Sequence, residues 1–313
     1  MKMKINMKTD KLNIITQKMN MITIKNNGKD NSNNIIKEKR FDYTLFYKKY
    51  KTYLPNNLLP STNFLSWLIG LSEGEGSFIV NKRGDLAFII TQNTSDINIL
   101  YYIQEILGFG KVIPQSAKTS RYVTQSKREI EIIISLFNAN TLLPTKKKRL
   151  YLFIKGFNDW VTKGSIRLEP VTFIDNNLLP RLDNSWLCGF TDGEGCFSCS
   201  IRVDAKRYSI NFSIAQKGEI NLPILNILPY LFKGGRVTNH SVKDVYEYRI
   251  NGVKFCSNVF SYFDEFNLLT KKSLSYVLWK ETYKDLVSKH HLDESKILVM
   301  SERAKMINKS NII

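Results

Sequence analysis

Long apolar runs, cysteine and histidine are all scarce in this sequence of 313 residues. No uninterrupted apolar stretch approaches the roughly 18 residues that a membrane-spanning helix needs, so we expect no membrane partner. Four cysteines in so long a chain do not form a disulfide framework. Cys196 and Cys199 have zinc-like spacing, but no second pair accompanies them and the sequence has only three histidines. We therefore expect free thiols in a reducing compartment.

Acidic residues are also in deficit, with 28 Asp and Glu against 46 Lys and Arg and a formal net charge of +18. Such a surplus favours a polyanionic partner. Half of it lies in residues 1–55, which hold 13 basic and four acidic residues. We interpret residues 1–55 as a basic low-complexity leader, and we expect residues 41–60 to dock as a short helix ahead of the first motif. No arginine precedes Arg40, so the leader is unlike a mitochondrial presequence.

A stretch of thirteen residues occurs twice, as SWLIGLSEGEGSF at 66–78 and SWLCGFTDGEGCF at 185–197, with eight identical positions. Each copy is followed by alternating apolar residues, a helical segment, a glycine with a basic residue, a further strand pair and a Leu-Leu-(Pro)-Thr-Lys-Lys element. The offset between the copies drifts only from 119 to 126 residues, which indicates duplication. We predict a first repeat at 56–157, a linker at 158–184, a second repeat at 185–290 and a C-terminal tail at 291–313.

Each repeat reads as helix, hairpin, helix, hairpin, helix, which predicts an α+β fold with antiparallel sheets. Four glycines lie inside the motif helices, Gly70 and Gly74 in the first copy and Gly189 and Gly193 in the second. A glycine inside a helix costs roughly 1 kcal/mol relative to alanine. We expect these glycines to allow close packing of one motif helix on the other.

Glu75 and Glu194 fall in the last turn of the motif helices, each before a glycine of the kind that ends helices, Gly76 or Gly195. A carboxylate is disfavoured at this end of a helix by roughly 0.3–1 kcal/mol. A divalent cation at each acid would remove both this penalty and the mutual repulsion, and oxygen ligands suit Mg²⁺. Paired acids that hold metal suit phosphodiester hydrolysis. The alternative is two solvated surface glutamates.

The paired motifs, their spacing and the elements that follow them resemble the LAGLIDADG homing endonucleases in their single-chain, two-repeat form, over about residues 60–280. The resemblance implies two pseudo-symmetric αββαββα repeats, each with a saddle-shaped sheet, that pack through the motif helices. It implies that Glu75 and Glu194 bind a catalytic divalent metal, with help from the carbonyls of Gly74 and Gly193. It also implies polar side chains around the reacting water, for which Gln92 and Gln216 are the candidates. Glu stands where the family more usually has Asp.

Alternation along the strands predicts the DNA-binding face. If Phe78, Val80, Phe88 and Ile90 face the core, other residues of these strands face outward. The predicted DNA contacts are Ser77, Ile79, Asn81, Arg83, Ile89, Thr91 and Lys111 in the first repeat, and Cys196, Ser198, Ser200, Arg202, Asn211, Ser213 and Arg236 in the second. The lysines of the repeated element, Lys146, Lys147, Lys148, Lys271 and Lys272, are expected at phosphates or at a solvated helix start.

These features favour a monomeric, metal-dependent endonuclease that recognises a long, non-palindromic DNA site. Two alternatives are an RNA-binding maturase that assists splicing of its host intron and a DNA-binding regulator without cleavage. The intact pair of glutamates speaks against the regulator. The resemblance also predicts a mitochondrial, organelle-encoded protein, in agreement with the frequent use of Asn, Ile, Lys and Tyr, whose codons are AT-rich.

Overall fold

The computed structural model describes residues 39–163, 168–307 and 309. They contain two antiparallel four-stranded sheets with the same strand order, β1-β2-β4-β3 and β5-β6-β8-β7. The predicted α+β class, with one sheet in each repeat, is confirmed. The strands are β1 (Gly76–Val80), β2 (Leu86–Asn93), β3 (Lys111–Pro114), β4 (Thr119–Thr124), β5 (Gly195–Arg202), β6 (Arg207–Lys217), β7 (Arg236–Asn239) and β8 (Val245–Asn251).

The helices cover the inner face of each sheet. In the first half they are α1 (Thr44–Tyr53), α2 (Thr62–Glu75), α3 (Ile97–Leu107), α4 (Lys127–Phe137) and α5 (Pro144–Lys163). In the second half they are α6 (Trp186–Glu194), α7 (Leu222–Leu225), α8 (Leu228–Leu231), α9 (Val253–Cys256), α10 (Phe260–Glu265), α11 (Lys272–Val287) and α12 (Glu294–Met306). The helical segment predicted in the second repeat is broken into α7 and α8, because Pro229 lacks the N–H that a continuous helix needs, whereas Pro223 lies in the first turn of α7, where proline is tolerated.

The motif helices α2 and α6 lie at the centre of the molecule. Ser61 caps the start of α2 by accepting a hydrogen bond from the Phe64 N–H at 3.1 Å. Each helix leads directly into a strand, because Gly76 and Gly195 have extended backbone and not the left-handed conformation expected of a helix-ending glycine. Glycine is needed there because a Cβ on Gly76 would lie 2.6 Å from the Ser72 carbonyl oxygen.

The short helix expected within residues 41–60 is confirmed as α1. Phe46 and Tyr50 of this helix are fully buried. Lys49 forms an ion pair at 2.6 Å with Glu131 of α4, a carboxylate that is almost entirely buried. Residues 39–55 therefore pack on the first repeat, and the rest of the proposed leader, residues 1–38, lies outside the described residues.

Two segments contain more helix than the sequence predicted. Helix α5 continues to Lys163, six residues beyond the proposed end of the first repeat. In the proposed C-terminal tail, α12 buries Ile297, Met300 and Ala304. Among the described residues, no helix is long and apolar enough to cross a membrane.

Candidate active site and nucleic-acid interface

Helices α2 and α6 cross with their backbones in contact at the motif glycines. A Cβ built on Gly70 would overlap the carbonyl oxygen of Trp186 and lie 2.7 Å from the Phe190 nitrogen. The second repeat mirrors this, since a Cβ on Gly189 would overlap the carbonyl oxygen of Trp67. The structure thus places both glycines where no side chain fits.

Each of the two motif acids lies against the motif glycine of the other helix. A Cβ on Gly74 would be 3.1 Å from Cγ of Glu194, and one on Gly193 would be 3.5 Å from Cγ of Glu75. Burial raises the pKa of both carboxyls, and the nearby charge of Glu194 raises the pKa of Glu75 further. The structure therefore places two carboxylates close together in a partly buried site, where the charged form of each is destabilised.

The neighbouring acids Glu73 and Asp192 point away from this pair. Each of them instead accepts hydrogen bonds from backbone N–H groups of its own repeat. Glu73 accepts hydrogen bonds from the backbone N–H groups of Leu142 and Leu143, at 2.5 and 3.1 Å. Asp192 does the same for Leu269 and Thr270, at 2.9 and 3.1 Å. Each acid anchors the segment that precedes α5 or α11 in its own repeat.

One further contact of Asp192 distinguishes the two repeats. The indole N–H of Trp67 donates to Asp192 across the interface at 2.8 Å. The equivalent indole nitrogen of Trp186 is buried and has no hydrogen-bond partner among the described residues. The pseudo-symmetry of the crossing is therefore broken at this pair.

Lys146, in the first turn of α5, enters the site, so the alternative of a solvated helix start is wrong for this residue. Its Nζ donates to the carbonyl oxygens of Gly76 at 2.6 Å and Gly74 at 3.4 Å. Burial lowers the pKa of this lysine, and the surrounding carboxylates oppose that shift. An ammonium group here offsets the negative end of the α2 dipole.

Lys272 makes the equivalent contacts at the end of α6. Its Nζ donates to the carbonyl oxygens of Thr191, Asp192 and Gly193, at 3.1, 2.8 and 2.7 Å. Burial lowers its pKa too. The structurally equivalent lysines are thus 126 residues apart, whereas the repeated Thr-Lys-Lys letters match at an offset of 125. The lysines repeated in the two copies are the sequence feature that could have indicated that Lys146 and Lys272 belong to the site.

The other lysines of the repeated element lie outside this site. The Nζ of Lys147 pairs with Asp175 at 2.8 Å. Lys148 is exposed on α5. The backbone N–H of Lys271 is bound by Asp96 at 3.0 Å.

Gln92 and Gln216 lie at equivalent positions, two residues beyond Ile90 and Ile214 on the inner side of their sheets. A hydrogen bond from Gln216 to Glu194 lowers the pKa of that carboxyl and so opposes the effect of burial. The Gln92 amide nitrogen is buried and has no hydrogen-bond partner among the described residues.

A divalent cation fits the donor atoms at the crossing. Among the described residues, no cluster of three His, Cys, Asp or Glu side chains could hold a metal, so Glu75 and Glu194 would provide only part of its coordination. The carbonyls of Gly74 and Gly193 each have a second lone pair beside the lysine contact. Such an all-oxygen set suits a hard divalent cation, whose charge would relieve the repulsion between the acids.

The outer face of the first sheet carries most of the predicted contacts. One row across it is Ser77, Ile89, Val123 and Lys111, and a second joins Thr91, Arg121 and Ile113. Ile79 is 40% exposed on the same face. Arg121 was not predicted, although the alternation in TSRYVT around the buried Tyr122 could have indicated it.

Three residues at or just after the end of β1 differ from the prediction. Val80, expected in the core, is 41% exposed, because it ends an edge strand. Helix α5 packs against one side of it, near Gly156. Asn81 and Arg83 lie in the turn after β1 and not on the sheet. The Asn81 side chain holds this turn by accepting hydrogen bonds from the N–H groups of Arg83 and Asp85, both at 2.8 Å.

The second sheet has the more cationic outer face. Cys196, Ser198, Ser200 and Arg202 of β5 pair with Ser213, Asn211, Ser209 and Arg207 of β6, and Ser213 continues to Arg249 and Arg236. Lys217, Arg207 and Arg249 are exposed cations that the sequence prediction missed. Glu247 lies on the same face and pairs with Arg249 at 2.7 Å.

Fold and site together define a class: a duplicated nuclease scaffold with paired acids at a helix crossing between two sheets. The LAGLIDADG endonuclease family profile matches residues 68–157 and 187–283. The chain belongs to the LAGLIDADG endonuclease family.

Two relatives are named as intron-encoded proteins. Probable intron-encoded endonuclease 4 of Neurospora crassa is 36% identical over 262 residues, which cover 81% of this chain and 46% of that protein. Intron-encoded RNA maturase bI4 of Saccharomyces cerevisiae is 28% identical over 253 residues, covering 81% of this chain and 32% of that protein. The chain therefore spans less than half the length of either relative.

A solved structure confirms the fold. The meganuclease I-SmaMI, bound to uncleaved DNA in the presence of calcium ions, superposes with a TM-score of 0.64 at 18% identity and covers 78% of this chain and 99% of that one.

Proposed function

We propose that this chain is a monomeric intron-homing endonuclease that makes a double-strand break at a specific DNA site. The observation that carries the proposal is the duplicated set of Glu75 with Lys146 and Glu194 with Lys272 at the seam between two cationic sheets. Two such sets suit the hydrolysis of one phosphodiester in each strand. The Neurospora crassa relative, an intron-encoded endonuclease by name, supports this function.

In this proposal Glu75 and Glu194 hold a divalent cation, Mg²⁺ in the cell, which would stabilise charge on the attacking and leaving oxygens. Gln92 and Gln216 orient water beside the acids. The ammonium groups of Lys146 and Lys272 present positive charge to the scissile phosphates from a partly buried position, where charge interactions are stronger than in water.

The first experiment selects cleavable targets from a randomised duplex library and repeats the digestion with the selected duplex. We expect cleavage in Mg²⁺, none in EDTA, and full recovery when Mg²⁺ is restored, because the paired acids cannot provide the cation's charge. Digestion that proceeds equally well in EDTA would contradict the metal site.

The dimensions of the sheets predict the length of the target. Strands β2 and β6 have 8 and 11 residues. At about 3.3 Å per residue and 3.4 Å per base step, they span roughly 8 and 11 base pairs. We therefore expect a protected site of about 16–20 base pairs.

The site should not be palindromic, because Ile79 and Thr91 lie in one sheet where Ser198 and Ala215 lie in the other. A wrong base at a position read by Arg202 should cost about 1–3 kcal/mol in one half of the site only. Sequencing of the selected targets measures both properties. A strict palindrome or a six-base-pair site would show that the sheets do not read DNA in this way.

Maturase activity is the second candidate, because one relative is named an RNA maturase. Splicing of the host intron in the presence of Glu75→Gln separates the two functions, since RNA binding does not need the acid pair. The mitochondrion is the proposed location, in line with the intron-encoded relatives.

A further inference from the structure

Each lysine-bearing helix begins at a contact with the opposite repeat. Asp96 ends the turn Thr94–Asp96 that follows β2 in the first repeat. Its carboxylate accepts a hydrogen bond at 3.0 Å from the backbone N–H of Lys271, 175 residues away, immediately before α11. A carboxylate at a helix N-terminus is favoured by the helix dipole and satisfies a free N–H group.

The second repeat makes an equivalent contact with the first repeat. Asn221 ends the turn Glu219–Asn221 after β6 and is 1% exposed. Its Oδ1 accepts hydrogen bonds from the backbone N–H of Thr145 at 3.3 Å and from the Thr145 hydroxyl at 3.2 Å. Its Nδ2 donates to the carbonyl of Lys217 at 2.9 Å, which fixes the amide to its own strand.

These contacts lie one residue from the active-site lysines. Thr145 precedes Lys146 and Lys271 precedes Lys272, so any shift of the helix start moves an ammonium group. Glu73 and Asp192 hold the segments before these helices from within each repeat. Asp96 and Asn221 therefore provide a second set of hydrogen bonds to the starts of these helices, and each of these hydrogen bonds comes from the other repeat.

We propose that Asp96 and Asn221 are positioning residues for DNA cleavage that act across the repeat interface, Asp96 on Lys272 and Asn221 on Lys146. This inference rests on the endonuclease function proposed above. It makes each half of the active site dependent on the strand-to-helix turn of the other half. Neither repeat then has a correctly placed lysine unless both are docked.

The test measures the cleavage rate of each DNA strand separately, with a different label at the 5′ end of each strand and enzyme in excess. Asp96→Ala should slow the cutting of one strand about 10- to 100-fold, because small displacements of a catalytic group cost this much, and leave the other near the parental rate. Asn221→Ala should slow the opposite strand. DNA affinity, measured in calcium, should not change.

Two further variants exclude a general loss of stability. Asp96→Asn keeps an oxygen acceptor for the same N–H group and should cut both strands near the parental rate. Asp293→Ala removes a comparable cap from α12, where Asp293 accepts from the Ser295 N–H at 2.9 Å, and should leave both strands at the parental rate.

A double variant tests whether Asp96 acts through Lys272. In a Lys272→Met background, adding Asp96→Ala should have almost no further effect, since both changes remove the same function. Equal slowing of both strands by Asp96→Ala, additive losses with Lys272→Met, or no slowing at all would each overturn the inference. If Asn221→Ala does not fold, the less buried Asp96 supports the same test. A parent protein that cuts neither strand in Mg²⁺ would instead refute the proposed endonuclease.

Discussion

Glu194→Gln is expected to lower the rate of double-strand cleavage by about 10³-fold or more, and Glu75→Gln to do the same. Each change removes a carboxylate from the pair that would hold the cation, and a metal provides several kcal/mol of stabilisation to the transition state. Since about 1.4 kcal/mol is tenfold in rate, a thousandfold loss corresponds to about 4 kcal/mol.

DNA binding should survive these changes, because in the proposed complex the sheets and not the acid pair make most of the contacts. Removing a negative charge beside the phosphates also reduces repulsion of the DNA, which offsets the loss of bound cation. Single-turnover cleavage in Mg²⁺ and binding in calcium measure the two properties. Glu105→Gln makes the same chemical change on the exposed side of α3 and should cleave at the parental rate. A fully active Glu194→Gln protein would remove that residue from the mechanism.

Replacement of Gly70 or Gly189 is expected to have the largest effect on stability. Even alanine at Gly70 would place a methyl group inside the carbonyl oxygen of Trp186. Overpacking against side chains costs about 1–3 kcal/mol, and here the obstacle is backbone, which cannot rotate away. We expect a loss of about 3 kcal/mol or more for Gly70→Ala, and no stable fold for Gly70→Leu.

Gly156→Ala is the matched control. Gly156 also lies inside a helix, but its added Cβ would meet only the side-chain tips of Leu86 and Val80, at 3.0 and 3.3 Å. The gain in helix propensity, about 1 kcal/mol, offsets this crowding. Thermal and denaturant unfolding of the two alanine variants provide the comparison. If both melt like the parent, the backbone contact between α2 and α6 is not as close as the structure has it.

Local pattern made much of the fold predictable. Duplication identified the two repeats, and the spacing of Gly70, Gly74, Gly189 and Gly193 indicated the helix crossing. Alternation placed Phe78, Phe88 and Ile90 in the core, as observed. Each of these inferences depends on residues that are close in sequence, where helical and strand periods decide which side chains share a face.

Features that depend on distant contacts were not predictable. The letters Thr-Lys-Lys do not show that Lys146 and Lys272 reach the C-terminal carbonyls of helices some 70 to 80 residues upstream. Val80 follows the expected alternation, but it is exposed and not buried. The reason is that β1 is an edge strand, whose end is only partly covered by other elements. No period in the sequence connects Asp96 with Lys271.

The broken symmetry of the helix crossing limits how such chains can be recombined. A chimera that joins the first repeat to the second repeat of another family member keeps the glycine contact wherever both partners have glycine. It also needs an acceptor for the Trp67 indole in place of Asp192, and a side chain for Thr145 in place of Asn221. The two halves are therefore not interchangeable modules, and grafts should be made as matched pairs of interface residues and not at the linker alone.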